Sequence, residues 1–167
     1  MLTPKLQKAL NDQLNFETYS AYIYWSMSAQ LETMGLPGFT NWMRIQVQEE
    51  MAHATKYFHF IIERGGKVTL DAIPKPKAEW PSVLAIFENA LEHERIVTGR
   101  INDIVDLAIA ERDHASNAFL QWFVSEQVEE EATADDIIQK LKLTEEAKGA
   151  LFILDKEMET RVFTPPA

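Results

Sequence analysis

Cysteine is absent from the 167 residues, which excludes disulfides, thiolate nucleophiles and zinc-thiolate or iron-sulfur ligation together. Any metal on this chain must sit on oxygen and nitrogen. Glycine is scarce, 6 in all. The stretches between breakers are long, periodic and rich in Ala, Leu, Glu and Lys, so the expected class is all-α. No apolar run is long enough to cross a bilayer. Met1-Leu2-Thr3-Pro4 leads into a helical pattern without the basic-then-apolar order of a signal peptide, so a soluble, cytoplasmic protein with no membrane partner is expected. Positive charge is also in short supply: 16 Lys and Arg against 26 Asp and Glu leave a formal net charge of −10. That argues against a nucleic-acid partner and suits a protein that attracts cations.

What is present divides into helices. The length fits a single domain, 1–167, with one core. Thr3 reads as an N-cap with Pro4 at the first helical position, and the pattern runs without a breaker over about 4–34. After Gly35-Leu36-Pro37-Gly38 a second helix covers about 37–64, and so short a turn makes the two antiparallel neighbours. Residues 65–81 carry three prolines and no helical period. Extended at about 3.3 Å per residue they reach roughly 55 Å, longer than the roughly 42 Å of a 28-residue helix. That loop can cross the whole bundle and start the third helix, about 82–111, parallel to the second. A fourth helix at about 114–141 and a short fifth at about 144–159, with Thr144 as cap and Ala147, Ala150, Leu151 and Leu154 as its apolar face, complete the chain. The architecture expected is a four-helix bundle with one long crossover loop and a short C-terminal helix.

Each long helix carries an apolar stripe broken by polar residues. The first runs Leu10, Leu14, Glu17, Ala21, Tyr24, Ser28, Leu31; the second Phe39, Met43, Gln46, Glu50, His53, Tyr57, Phe60. The third runs Phe87, Leu91, Glu94, Thr98, Ile101, Val105, Ala108, and the fourth Leu120, Phe123, Gln127, Glu130, Ala134, Ile137, Leu141. Glu and His are uncommon on such faces, although either can be a hydrogen-bonded core residue. The spacing repeats: 33 residues separate Glu17 from Glu50 and Glu94 from Gln127, and 77 separate Glu17 from Glu94, Glu50 from Gln127 and His53 from Glu130. Two similar helical hairpins related by an approximate two-fold axis would bring these residues to a common depth.

Convergence has an electrostatic consequence. Two carboxylates about 5 Å apart repel by roughly 3 kcal/mol at an effective dielectric near 20, and Glu17, Glu50, Glu94 and Glu130 would make several such pairs. The site must hold protons or hold cations. One Glu on each of two helices and a three-spaced pair on each of the other two is the di-iron or di-manganese carboxylate arrangement of bundle cores.

Beyond spacing, Tyr19-Ser20-Ala21-Tyr22, Asn41-Trp42-Met43, Glu63-Arg64-Gly65-Gly66, Phe119-Leu120-Gln121-Trp122 and Glu126-Gln127-Val128-Glu129-Glu130-Glu131 together make the chain resemble the ferritins, the haem-free bacterial and archaeal kind above all, over essentially its full length. The resemblance implies a first iron held by Glu17, Glu50 and His53. It implies a second held by Glu94, Glu130 and the bridging Glu50, with Gln127 beside it, and a third at Glu49, Glu126 and Glu129. Tyr24 matches a tyrosine next to the centre. Ferroxidase activity is implied, with ferrous iron as substrate, O2 or H2O2 as oxidant and ferric mineral stored inside a homo-oligomeric shell, commonly of 24 subunits.

The haem-carrying bacterioferritins have Glu-x-x-His on both hairpins, whereas here the second reads Gln127-x-x-Glu130, so haem at Met51 is not expected. The acidic residues of the animal ferritins' three-fold pore fall at Asn117 and Leu120, so that route for iron does not carry over. The alternative function is a di-iron or di-manganese redox enzyme that acts on peroxide or oxygen and stores nothing. His59, His93 and His114 lie off the stripes or in a turn and read as surface residues. The fifth helix, lying beyond a complete four-helix core, suggests burial against other subunits.

Overall fold

The computed structural model describes residues 1–144 and 149–165. Helix α1 spans Pro4–Thr33, and the Thr3 side chain caps it by accepting from the Leu6 amide. Gly35, with φ of 74°, turns the chain in the left-handed conformation open to glycine, and α2 follows over Pro37–Glu63. Gly65 and Gly66 close α2 by donating to the carbonyls of Ile62 and Ile61. Helix α3 spans Val83–Ala110, with Ser82 accepting from the Ala85 amide as its cap, and α4 spans His114–Thr144. Helix α5 is Ala150–Met158. Part of the expected start of the fifth helix, 145–148 with Ala147, lies outside the described residues, as does the end of the tail from Pro166; α4 itself runs on to Thr144.

The crossover between α2 and α3 is read off by α1. Gln7, Asn11 and Asn15 stand four apart on one face of α1, and the extended chain offers Lys67, Thr69 and Asp71 two apart. Four helical residues rise about 6 Å and two extended residues about 6.6 Å, so the two ladders keep step. Gln7 Oε1 accepts from the Lys67 amide at 3.0 Å, Asn11 takes both the Lys67 carbonyl and the Thr69 amide at 3.0 and 2.7 Å, and Asn15 does the same for Thr69 and Asp71 at 2.9 Å each. Further along, Ser26 donates to the Lys77 carbonyl, and Gln30 bonds both backbone groups of Trp80. The loop therefore runs the length of α1 and starts α3 parallel to α2, giving the one-crossover four-helix bundle with a short fifth helix.

Helix α1 packs along α2 and α3 along α4, while α5 rests on α2 and α4. At Gly38 an added Cβ would lie 1.6 Å from the Asp155 carbonyl oxygen, so only glycine lets α5 approach the start of α2 this closely. The buried Asp155 side chain accepts from the Phe39 amide at 3.0 Å, a carboxylate placed where the helix leaves its first donors unpaired. Leu154 and Met158 supply the buried face of α5, with Ala150 and Leu151 half-buried beside them, whereas Phe152 and Ile153 are 64% and 70% exposed.

Two apolar clusters fill the bundle. One gathers Tyr24, Leu31, Phe39, Met43, Phe87, Ile137 and Leu141; the other gathers Leu6, Leu10, Tyr57, Ile61, Ile101, Leu120 and Phe123. Between them lies a layer of buried polar side chains. Every stripe residue of α1 and α4 named above is buried, whereas Phe60, Thr98 and Val105 on the other two helices are half-buried.

Candidate metal centre

The polar layer contains Glu17 from α1, Glu50 and His53 from α2, Glu94 from α3, and Gln127 and Glu130 from α4, all 7% exposed or less. The bundle thus collects all six stripe residues that the spacing marked. Glu17 Oε1 accepts from Gln13 Nε2 at 2.9 Å, and Glu50 Oε1 from Gln46 Nε2 at 3.2 Å. The second oxygen of each, Glu17 Oε2 and Glu50 Oε2, is fully buried without a hydrogen-bond partner. His53 Nδ1 stands 3.6 Å from Glu50 Oε2. Ligand atoms of Glu17, Glu50 and His53 all fall within 4.8 Å of one another, as do those of His53, Glu126 and Glu130. Orphaned carboxylate oxygens beside an imidazole nitrogen form a donor set suited to a divalent first-row metal ion.

Glu94, expected at a second position, falls in neither group. Its Oε1 accepts from the Tyr24 hydroxyl and its Oε2 from Gln127 Nε2 at 3.0 Å. Tyr24 is buried beside the centre, and the Gln127 amide is occupied in donating to Glu94. Glu130 Oε2 accepts from Gln46 Nε2 at 2.9 Å, so this one amide ties α2 to α4 through Glu50 and Glu130. Glu49 and Glu126 are partly exposed at the margin and Glu129 is exposed. Met51 is 45% exposed.

Burial with like charges pushes these groups toward their neutral forms. Burial, then the charge of Glu50, lifts the Glu17 carboxyl from 4.5 to about 8. Glu50 and Glu130 are raised well above the usual carboxylate range, first by burial and next by Glu94; Glu94 is raised by burial against the bonds from Tyr24 and Gln127. Burial and the nearby carboxylates also raise the Tyr24 phenol. Protons held this way leave when a cation arrives, because the ion supplies the positive charge that the desolvated oxygens need.

Several residues at the centre were not singled out from the sequence as site residues. Gln13 and Gln46 each precede a glutamate by four and are themselves 33 apart, so the hairpin repeat carried this signal. Gln13 in turn accepts from Arg100 Nε at 2.9 Å. Arg161, on the tail beyond α5, donates to Gln46 Oε1 from both terminal nitrogens at 3.0 Å and to Glu49 Oε2, and no pattern in the sequence marks it. His93 corrects an expectation: it is 6% exposed, not on the surface. It faces α1, where it bonds Ser20 Oγ at 2.7 Å and stacks on Phe16, and burial lowers its pKa to about 4. His59 and His114 are exposed.

Comparison with known proteins agrees with the fold. A family model for the ferritin-like domain matches residues 7–144. The chain is 43% identical over 161 residues to the bacterial non-heme ferritin of Bacteroides fragilis, covering 96% of this chain and 100% of that one. It is 35% identical over 160 residues to the bacterial non-heme ferritin of an Escherichia coli strain, covering 96% and 97%. Among solved structures, the open-pore ferritin of the hyperthermophilic archaeon Archaeoglobus fulgidus superimposes with a TM-score of 0.96 at 52% identity, covering 97% of this chain and 100% of that one. A form of that ferritin engineered to be closed gives the same score and identity over 98% and 100%. With a matching family model across most of its length and relatives that it spans nearly end to end, this chain belongs to the ferritin family.

Proposed function

We propose that the protein stores iron and is a ferroxidase. Ferrous iron is the substrate. One ion binds Glu17, Glu50 and His53; a second binds Glu94 and Glu130, bridged by Glu50, with Gln127 beside it. Each gives up one electron, so a pair reduces O2 to H2O2 or H2O2 to water. Tyr24 holds Glu94 from the side away from Gln127. The ferric product leaves past Glu126, Glu129 and Glu49, where a third ion is held, and is deposited as mineral within a homo-oligomeric shell of 24 subunits.

The observation that carries this reading is the pair of buried carboxylate oxygens without a hydrogen-bond partner, Glu17 Oε2 and Glu50 Oε2, in a cluster with His53, whose Nδ1 lies 3.6 Å from the latter. Nature rarely leaves a buried polar atom unpaired without a use. The shell is supported by apolar side chains left outside a complete bundle core: Trp25 at 62%, Ile62 at 51%, Val128 at 70%, and Phe152 and Ile153 on α5.

The first position has the imidazole of His53 as a ligand, whereas the second has in its place only the neutral Gln127 amide, already donating to Glu94, so the second iron is the easier to release. Changing both Glu50 and His53 to Ala is expected to abolish rapid aerobic oxidation of ferrous iron; undiminished oxidation in that variant refutes the assignment. Aerobic loading of the parent with excess ferrous salt, followed by gel filtration, tests storage. Hundreds of irons co-eluting with a large particle are expected. About a pair per chain, the content of a two-metal site, would leave a redox enzyme without a store.

A further inference from the structure

Arg161 is placed by a strap of its own. Beyond α5 the tail folds back onto α2, where Asn41 Nδ2 donates to the Arg161 carbonyl at 3.0 Å. The guanidinium lies 4.1 Å from the centroid of the Trp42 ring and donates to the Trp42 carbonyl at 3.2 Å. Both terminal nitrogens grip Gln46 Oε1, and one pairs with Glu49 Oε2. The side chains of Arg161 and Glu49 are 22% and 19% exposed, so the pair is largely withdrawn from water. Glu49 also feels the charges of Glu126 and Glu129. A cation already sits at the carboxylate assigned above to a third ion, and that cation is covalently part of the chain.

We propose that Arg161 is a built-in competitor for the third iron position: a metal ion takes Glu49 only by displacing the guanidinium, which makes the position a relay that releases iron and not a trap. The proposal rests on the reading of Glu49, Glu126 and Glu129 as a cation position. The physical reason is that one carboxylate oxygen cannot face a guanidinium and a divalent ion together without setting like charges against each other in a poorly solvated corner. Arg161 is also a positioning residue for the centre. By holding Gln46 Oε1 it turns the Gln46 amide nitrogen toward Glu50 and Glu130.

The test is calorimetric titration of the metal-free, assembled protein with Zn2+, which resembles ferrous iron in charge and needs no exclusion of oxygen. The parent is expected to take two ions per chain tightly and a third weakly. Arg161→Met keeps the stem over Trp42 and removes the charge; the third ion should then bind about tenfold tighter, the scale of one charge-assisted hydrogen bond released. Arg161→Lys keeps a positive charge in reach of Glu49 and should leave the third ion weak. Misfolding could only lose ions, so a gain in affinity cannot come from damage. A third ion bound by Arg161→Met no more tightly than by the parent, with the first two retained, overturns the proposal. A parent that binds no Zn2+ overturns the cation-site reading beneath it.

Discussion

The carboxylate layer makes the metal-free protein a weak base at its own core, and its stability should show this. Glu17 is fully buried, with a pKa raised from 4.5 to about 8. A folded-state pKa above the unfolded value means that the native state holds the extra proton between these limits. The stability from that proton is complete below about pH 4.5 and is lost as pH rises through about 8. At about 1.4 kcal/mol per pH unit, Glu17 alone accounts for up to about 5 kcal/mol. Glu50, Glu94 and Glu130 act in the same direction.

Glu17→Gln removes the titration while keeping the acceptor for Gln13 Nε2. In a chelator, thermal melting of the parent should fall steeply between pH 5 and 9. The variant should match the parent near pH 5 and melt higher at pH 9 by about 10 °C, since 1 kcal/mol is worth about 2–4 °C in a domain of this size. Zn2+ added at pH 9 should restore more of the parent than of the variant. A parent melting temperature that is flat across this range, or a variant no more stable than the parent at pH 9, refutes the reasoning.

Two further changes test the scaffold. Gly38→Ala puts a Cβ 1.6 Å from the Asp155 carbonyl oxygen, so α5 must leave α2. We expect a loss of about 3 kcal/mol or more and faster proteolysis within α5, read by limited digestion. Asn11→Ala cuts both bonds to the crossover, at Lys67 and Thr69. A loss of about 1–3 kcal/mol is expected in denaturant melts, with faster hydrogen exchange at the Thr69 amide and unchanged Zn2+ stoichiometry.

The helical class and the crossover were readable because they rest on local chemistry: Thr3 as a cap, glycines where the chain turns after each of the first two helices, and a proline-bearing segment too long for a tight connection. The polar layer was readable because a helix fixes which residues share a face, so Glu17, Glu50, His53, Glu94, Gln127 and Glu130 announced themselves as interruptions of apolar stripes. His93 was misread because it lies one position off its stripe, and its burial depends on Ser20 and Phe16 of another helix. Arg161 gave no warning because a tail without period has no predictable face.

What the sequence determined by itself is therefore the list of helices, their inward faces and the carboxylates on them, since each follows from spacing along one chain segment. Only the tertiary structure decided which oxygens find partners. Glu94 is satisfied by Tyr24 and Gln127, while Glu17 Oε2 and Glu50 Oε2 are left bare. It alone brought Arg161 to Glu49 across 112 residues of chain. Periodicity sets the direction in which a side chain points; what it meets there depends on the packing of separate helices, which no local pattern encodes.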